Sequence, residues 1–198
     1  MTDRIIECVP NFSEGRDAAR IGQIAQAITS VDGVRLLNVD SGAAANRTVM
    51  TFAGEPGSVA EAAFRAVMKA AEVIDMGCHC GEHPRIGATD VCPIVPVRGV
   101  TMEECVEYAR ALARRVGESG IPVYCYENAA FVPERRNLAA CRSGEYEGIR
   151  KKIADERWKP DFGPSEYNDR IRRSGISVIG ARKYLVAINF NLDTDSAW

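Results

Sequence analysis

Residues 34–53, VRLLNVDSGAAANRTVMTFA, hold the pattern that decides the fold. Two runs within it, 34–40 and 47–53, are rich in aliphatic and β-branched residues, which is typical of β-strands. The loop between them, Ser41–Asn46, is short. A short loop is enough to join antiparallel strands but not parallel ones, so we expect these two strands to be antiparallel neighbours.

On both sides of this strand pair, the sequence presents a helix and then a strand. Apolar residues at helical spacing predict helices over about 16–30 before the pair and about 58–73 after it. Strand-like runs at 5–10 and 90–97 complete the order β-α-β-β-α-β, the split β-α-β or ferredoxin-like pattern. We therefore predict an α+β fold, a two-layer sandwich with helices on one face of a mainly antiparallel sheet.

The rest of the chain is predicted to extend the same sheet. A helix over about 102–118 is followed by strands at 121–126 and 183–192. Between those strands, residues 127–182 show one weak helix, at 145–156, and loops of this length are usually functional or disordered. Two of the strong helices open with capping-box sequences, Ser58-x-x-Glu61 and Thr101-x-x-Glu104.

Composition excludes several classes of protein. The 198 residues carry 25 Lys and Arg against 27 Asp and Glu, so there is no broad positive field for nucleic acid or an anionic membrane. The N-terminus lacks the apolar core of a signal peptide, and no apolar stretch is long enough to span a bilayer. Seven cysteines without framework spacing favour free thiols. We expect a soluble cytoplasmic protein with small-molecule substrates.

Residues 77–90, GCHCGEHPRIGATD, contain both histidines of the chain, and three interpretations compete for this stretch. The first is a zinc site made by Cys78, His79, Cys80 and His83. Structural zinc usually joins two ligand pairs far apart in sequence, whereas these four residues are compressed into one turn, which argues against a metal. The second interpretation is a polar surface turn.

The third interpretation is a general acid/base loop. The unperturbed pKa of histidine lies near the working pH, so its side chain can accept a proton and return it. A neighbouring carboxylate can fix its tautomer, and Arg85 can anchor a substrate carboxylate through its planar guanidinium. The residues alone leave these alternatives open.

Six segments resemble the N-terminal subdomain of the glutamate formiminotransferase family, over nearly the whole chain. They are 7–17, 40–54, 81–99, 142–148, 158–165 and 180–192. The resemblance implies transfer of a formimino group from N-formimino-L-glutamate to tetrahydrofolate, in histidine catabolism and one-carbon metabolism. It also implies a ferredoxin-like fold, one subdomain over residues 1–198, tetrahydrofolate as co-substrate, no metal, and His83 as the catalytic histidine.

The implied chemistry suggests roles for the nearby polar residues. His83 would take the proton from N5 of the folate and return one to the departing glutamate nitrogen. Asp40 or Glu82 would orient the cationic amidinium, and Arg47 and Arg85 would bind the two glutamate carboxylates. Asn46 joins this predicted substrate-binding set. The competing interpretation of Asp40, Asn46, Arg47 and Arg85 is structural, as Asx-turns and local ion pairs.

The second long loop resembles the folate-contacting segment of the family. The predicted folate-binding residues are Asp161, Phe162, Gly163, Pro164, Ser165 and Gly175. After Ser165 the sequence departs from the family pattern, because a longer and more charged stretch precedes the GAR motif at 180–182. Its three arginines, at 170, 172 and 173, would meet a polyglutamate tail or remain solvated.

The resemblance implies that the family's transferase unit has a second α/β subdomain, and the 198 residues match only the first. The second subdomain would be a separate polypeptide, or the chain would be a fragment of a longer protein. We therefore expect a homodimer, or a complex with a separate C-terminal subdomain chain. Two other functions stay open: a non-catalytic module that binds folate or an acidic ligand, and transfer of formyl from N-formylglutamate to tetrahydrofolate.

Overall fold

The computed structural model describes residues 4–185. Within that range the chain forms one seven-stranded sheet with helices packed on it. The strands are β1 (Ile5–Cys8), β2 (Asn11–Phe12), β3 (Val34–Gly42), β4 (Arg47–Gly54), β5 (Thr89–Arg98), β6 (Val123–Glu127) and β7 (Ser177–Ala181). The helices are α1 (Ala18–Thr29), α2 (Pro56–Val73), α3 (Met102–Glu118), α4 (Leu138–Arg142), α5 (Ile149–Ala154) and α6 (Asp169–Ser174).

The strand order confirms the predicted architecture. β1 and β2 are two halves of one interrupted strand, because each pairs antiparallel with β4 on one side and β5 on the other. β3 lies outside β4 and is antiparallel to it. The order β3-β4-β1/β2-β5 is that of a split β-α-β unit. Beyond β5 come β7 and then β6, and these two pairings are parallel. All the other pairings are antiparallel, so the sheet of this two-layer α+β sandwich is mainly antiparallel.

The three longest helices of the described chain, α1, α2 and α3, cover one face of the sheet. Their apolar sides meet strand residues such as Phe12, Met50 and Phe52, all fully buried. Burying a side chain of this size contributes roughly 1.5–3 kcal/mol. Alternate residues of β4, such as Thr51 and Ala53, point to the other face and are half-exposed, as the period of two in a strand requires.

The two predicted capping boxes have different outcomes. α3 begins at the predicted pair of Thr101 and Glu104, each side chain accepting from the other residue's backbone N–H. The box at Ser58 was wrong, because the N-cap of α2 lies three residues earlier. Glu55 is the N-cap, with its carboxylate accepting from two backbone N–H groups of the first turn. Pro56 follows it, and its fixed φ suits the first helical position.

One central strand was not predicted. β7 is short, contains a glycine and is buried at every position, so it lacks the alternation that marks a half-buried strand. The sequence places the last strand instead at 183–192, which runs into residues 186–198, outside the described part of the chain. The segment expected to be irregular, 127–182, contains three short α-helices and two 3-10 helices besides β7.

A second apolar cluster lies on the opposite face of the sheet, over β5, β7 and β6. Tyr124 and Tyr126 of β6 pack there with Ile149 and Ile153 of α5. Short helices therefore cover this half of the second face, whereas the prediction put helices on one face. The other half, around β3 and β4, is more open, and Asp40 is exposed there. No helix within residues 4–185 combines the length and hydrophobicity needed to cross a bilayer.

Candidate active site

Asn46 joins three segments of the chain at the end of the β3–β4 loop. Its φ is 46°, in the left-handed region that asparagine tolerates better than most residues. Its side-chain oxygen accepts from the Gly15 N–H at 2.9 Å, and its side-chain nitrogen donates to the Cys80 carbonyl at 2.9 Å. Its own carbonyl oxygen lies 3.0 Å from Nε2 of His79. This buried residue therefore holds the loop that carries both histidines.

His83 lies in that loop and is partly exposed. Its Nδ1 is 2.7 Å from the Pro84 carbonyl oxygen, which can only accept, so Nδ1 carries the proton. The other ring nitrogen, Nε2, therefore holds a lone pair and is available as a base. Burial lowers the pKa of His83 from 6.5, the positive charge of Arg47 lowers it further, and the bond to Pro84 opposes both. His83 is thus neutral at neutral pH.

Two arginines converge beside this loop on one buried carboxylate. Asp90 is fully buried, and its Oδ2 lies 2.7 Å from Nη1 of Arg47 and 2.5 Å from Nη2 of Arg142. Its Oδ1 accepts from the Ile86 N–H at 3.0 Å. Arg47 also donates from Nε to the side-chain oxygen of Asn11 at 3.1 Å. Two cations share one carboxylate, so the cluster keeps a net positive charge.

The polar atoms of this cluster are not all satisfied by the protein. Nη1 of Arg47 is close enough to Asp90 for an ion pair but has no aligned hydrogen bond within the described chain, and Nε of Arg142 has none there either. Burial lowers the pKa of Arg47, and the negative charge of Asp90 opposes that shift. Buried donors without acceptors are costly in a folded protein, and an incoming anion would satisfy them.

Arg85 is already paired within the protein. Its guanidinium donates to both carboxylate oxygens of Glu147, at 2.7 and 3.0 Å, and to Glu145 at 3.0 Å. Its carbonyl accepts from the Tyr146 N–H at 3.0 Å. The hydrogen bond to Glu147 raises the pKa of Arg85. Arg85 therefore joins the His83 loop to residues 145–147, and its guanidinium is not free to act as the predicted substrate anchor without leaving these partners.

The two predicted carboxylates are both exposed. Asp40 lies on the edge strand β3, in register with Val49, and its side chain makes no hydrogen bond or ion pair with residues 4–185. Glu82 is next to His83, and its backbone N–H donates to the Ala44 carbonyl at 3.3 Å. Both side chains are therefore accessible to a cationic group on a ligand.

The assembled residues form a recognisable chemical unit. A neutral imidazole with a free Nε2 lies near a positively charged arginine cluster. Glu82, next to His83, and Asp40, on β3, are exposed carboxylates. Such a group can move protons and bind an anionic substrate. Residues 5–182 match the family model described as "Formiminotransferase domain, N-terminal subdomain". The chain belongs to the formiminotransferase family.

Individual relatives agree with the family match. The glutamate formimidoyltransferase of Thermoplasma acidophilum is 50% identical over 195 residues, which cover 97% of this chain and 63% of that protein. The enzyme of the same name from Streptococcus pyogenes serotype M1 is 47% identical, over 98% and 64%. The formimidoyltransferase-cyclodeaminase of Mus musculus is 50% identical, over 96% and 35%. The chain thus spans between about a third and two thirds of the length of these relatives.

In this formiminotransferase chain, most of the predicted folate segment lies apart from the His83 loop. Asp161 forms a buried ion pair with Arg135, and Phe162 packs against Gly117 of α3. Phe162 also pairs its backbone with Val123 of β6. β7 and β6 therefore separate this segment from β5, a distance of about 14 Å at ordinary strand spacing.

The other predicted folate residues divide between the two places. Gly163 has a φ of 86° and lies against the Ile121 carbonyl, while Pro164 is half-buried and Ser165 is exposed beside it. Gly175 is different, because it forms a β-bridge with Gly87 at the end of the His83 loop. Its φ of 65° and the close approach of neighbouring backbone leave no room for a Cβ.

Some site residues of this formiminotransferase chain were not assigned a role from the sequence. Asn11 and Asp90 contact Arg47, Arg142 shares the Asp90 carboxylate, and Glu147 holds Arg85. Each lies inside a segment that carries the family resemblance, so the family motifs contained the signal. The pairing of Arg142 with Asp90, 52 residues apart, has no local signature in one sequence.

We expect purified protein to carry no stoichiometric zinc. In the described chain, no group of three or more histidine, cysteine or acidic side chains is arranged to hold a metal. Cys78 and Cys80 are exposed, and both ring nitrogens of His79 contact protein groups. Changing both cysteines to serine should therefore leave the melting temperature nearly unchanged. One equivalent of zinc by elemental analysis, lost in the double variant, would contradict this prediction.

Proposed function

We propose that this chain carries the N-terminal half of a site that transfers a formimino group from N-formimino-L-glutamate to tetrahydrofolate, a step of histidine catabolism. The observation that supports it most is the state of His83, whose Nδ1–H is held by the Pro84 carbonyl while Nε2 stays free beside Arg47 and Arg142. The relatives named as glutamate formimidoyltransferases supply the donor class.

The reaction needs one group that takes a proton and returns it. The N5 amine of the folate attacks the amidine carbon, a new C–N bond forms, and Nε2 of His83 takes the N5 proton. The bond between that carbon and the glutamate nitrogen then breaks, and His83 returns the proton to the departing nitrogen. The products are formimino-tetrahydrofolate and glutamate, and no metal takes part.

The surrounding charges suit the two parts of the donor. Arg47 and Arg142, which share a single carboxylate, attract the glutamate carboxylates. Asp40 and Glu82 are exposed and would orient the cationic amidinium. Arg85 supports the loop from behind, through Glu147.

For the folate, Gly175 is the best supported contact, because it bridges to the His83 loop. The segment Asp161–Ser165 would meet a more distant part of the same ligand. All seven cysteines are free thiols, which suits a reducing compartment, so we place the reaction in the cytoplasm.

The assay must include the second subdomain, by co-expression. Tetrahydrofolate is mixed with N-formimino-L-glutamate or, separately, with N-formylglutamate, and the mass of the folate product identifies the group that was transferred. We expect turnover with the formimino donor and no loss of activity after chelation. Turnover with the formyl donor alone would favour that alternative. No product with either donor, with folate binding intact, would favour a non-catalytic binding module.

We also predict that the chain does not remain a free monomer. Its relatives are longer, and the half of the second sheet face around β3 and β4 is the more open one in the described chain. An open sheet face tends to be covered by another subdomain or by a second copy of the chain. Light scattering should show a homodimer, or a complex with a separate second subdomain. A monomer at tens of micromolar with no partner co-purifying would contradict this prediction.

A further inference from the structure

The two histidines of the chain are held as opposite tautomers. Nε2 of His79 lies 3.0 Å from the Asn46 carbonyl oxygen, so this nitrogen must carry the proton. His83 has the reverse arrangement, with its proton on Nδ1 at 2.7 Å from the Pro84 carbonyl. The two rings are four residues apart, yet one presents a lone pair from Nδ1 and the other from Nε2.

The lone pair of His79 has a defined partner. Nε of Arg85 donates to Nδ1 of His79 at 3.3 Å, and Nη2 of Arg85 approaches the His79 carbonyl at 3.4 Å. A proton on Nδ1 would place the Nδ1–H of a charged His79 ring against the Nε–H of the Arg85 guanidinium, so that two donors and two positive charges would face each other. The ring must therefore stay neutral, which agrees with a pKa that burial lowers from 6.5 and that Arg85 lowers further, against the bond to Asn46.

These contacts close the base of the loop that carries His83. His79 and Arg85 flank segment 80–84 on its two sides. The His79 ring contacts Arg85 through Nδ1 and the Asn46 carbonyl through Nε2. Glu147 holds Arg85 from the other side. Without the His79 ring, Arg85 and the Asn46 carbonyl lose their common partner, and the loop end nearest to His83 is free to shift.

We propose that His79 is a positioning residue, whose neutral, Nε2-protonated ring closes the base of loop 80–84 and so holds His83 as the Nδ1–H tautomer. The inference rests on the proposed function for the role of His83 in proton transfer. The tautomers themselves do not depend on that function, so they can be tested without an assay of activity.

The test uses nitrogen-detected NMR on protein labelled at histidine, which gives two imidazoles because the chain contains two histidines. At pH 7.5 we expect His79 as the Nε2–H tautomer and His83 as the Nδ1–H tautomer, with the signals assigned by single substitutions.

In His79→Ala, the His83 signals should move towards a mixture of tautomers and its pKa should return towards 6.5. His79→Gln keeps a donor for the Asn46 carbonyl and should restore most of the wild-type behaviour. Cys78→Ser, an exposed change on the same loop, is the matched control and should alter neither.

Kinetics with the second subdomain present give an independent measurement. His79→Ala should lower kcat about tenfold with little change in KM for folate, since small displacements of a reacting group have effects of at least this size. A charged or Nδ1-protonated His79 in the wild-type spectrum would overturn the proposal. So would a His79→Ala protein whose His83 tautomer and pKa match the wild type, or a glutamine variant no better than alanine. Wild-type protein with the expected tautomers and no transferase activity would instead refute the proposed function.

Discussion

His83→Ala will slow formimino transfer by about 10²- to 10⁴-fold, the usual contribution of general acid–base catalysis, while leaving folate affinity nearly intact. The reason is that Nε2 of His83 is the free lone pair at the centre of the site and no other group of the described chain is assigned that proton. The measurement is single-turnover transfer with the second subdomain supplied, together with a folate binding titration. His79→Ala, expected to cost about tenfold, is the control for an imidazole lost from the same loop.

The pH profile provides a second check on the same residue. Because burial lowers the pKa of His83 from 6.5, the ring remains an unprotonated base as the pH falls through 6.5. The acidic limb of kcat/KM should therefore lie below pH 6.5 in the wild type and disappear in His83→Ala. A variant that turns over the donor at the parental rate would remove His83 from the mechanism.

Asp90→Asn will destabilise the protein by about 3–5 kcal/mol, the usual effect of removing one partner from a buried ion pair. Asp90 is fully buried and is the carboxylate for both Arg47 and Arg142, so its amide would leave two buried cations without a counter-charge. The free energy of unfolding, measured by urea denaturation, should fall accordingly. Asp40→Asn, which removes an exposed carboxylate, is the matched control and should change it by less than about 0.5 kcal/mol.

A double variant separates the effect of the uncompensated positive charge from the effect of the changed side-chain contacts at position 90. Asp90→Asn combined with Arg142→Met removes one of the two uncompensated cations and should recover part of the lost stability. A loss below about 1 kcal/mol in Asp90→Asn would contradict the prediction, because it would mean that the two arginines do not depend on the Asp90 charge.

The sheet could be predicted as far as β5 because each element there has a strong local pattern. β4 alternates between buried and partly exposed residues, β3 begins with a similar alternation, and the helices that flank these strands have one apolar face. β7 has no such pattern, since a five-residue strand buried on both faces shows no periodicity. The capping box at Ser58 failed for a different reason, because Glu55, followed by Pro56, is a competing N-cap three residues earlier.

The His83 loop could be proposed as a candidate site from the sequence, but the partners of its arginines could not be predicted. The His83 loop was recognised by residue type and by family resemblance, and the structure places Asn46 and Arg47 beside it. Arg85 was expected to bind substrate because a guanidinium next to a histidine suits a carboxylate. In the structure it pairs with Glu147, 62 residues further along the chain, and only the fold determines that pairing.

The position of β7 has a consequence for how the protein is made. Although β7 is the last of the described strands to be synthesised, it lies between β5 and β6. During synthesis on the ribosome, the edges of β5 and β6 that will face β7 therefore stay unpaired until residue 181 has emerged. Unpaired strand edges can pair with the wrong strands. Gly175, which closes onto Gly87, emerges just before β7. The nascent chain thus closes the His83 loop only after most of these residues have been translated, and chaperones that shield strand edges should bind it before that point.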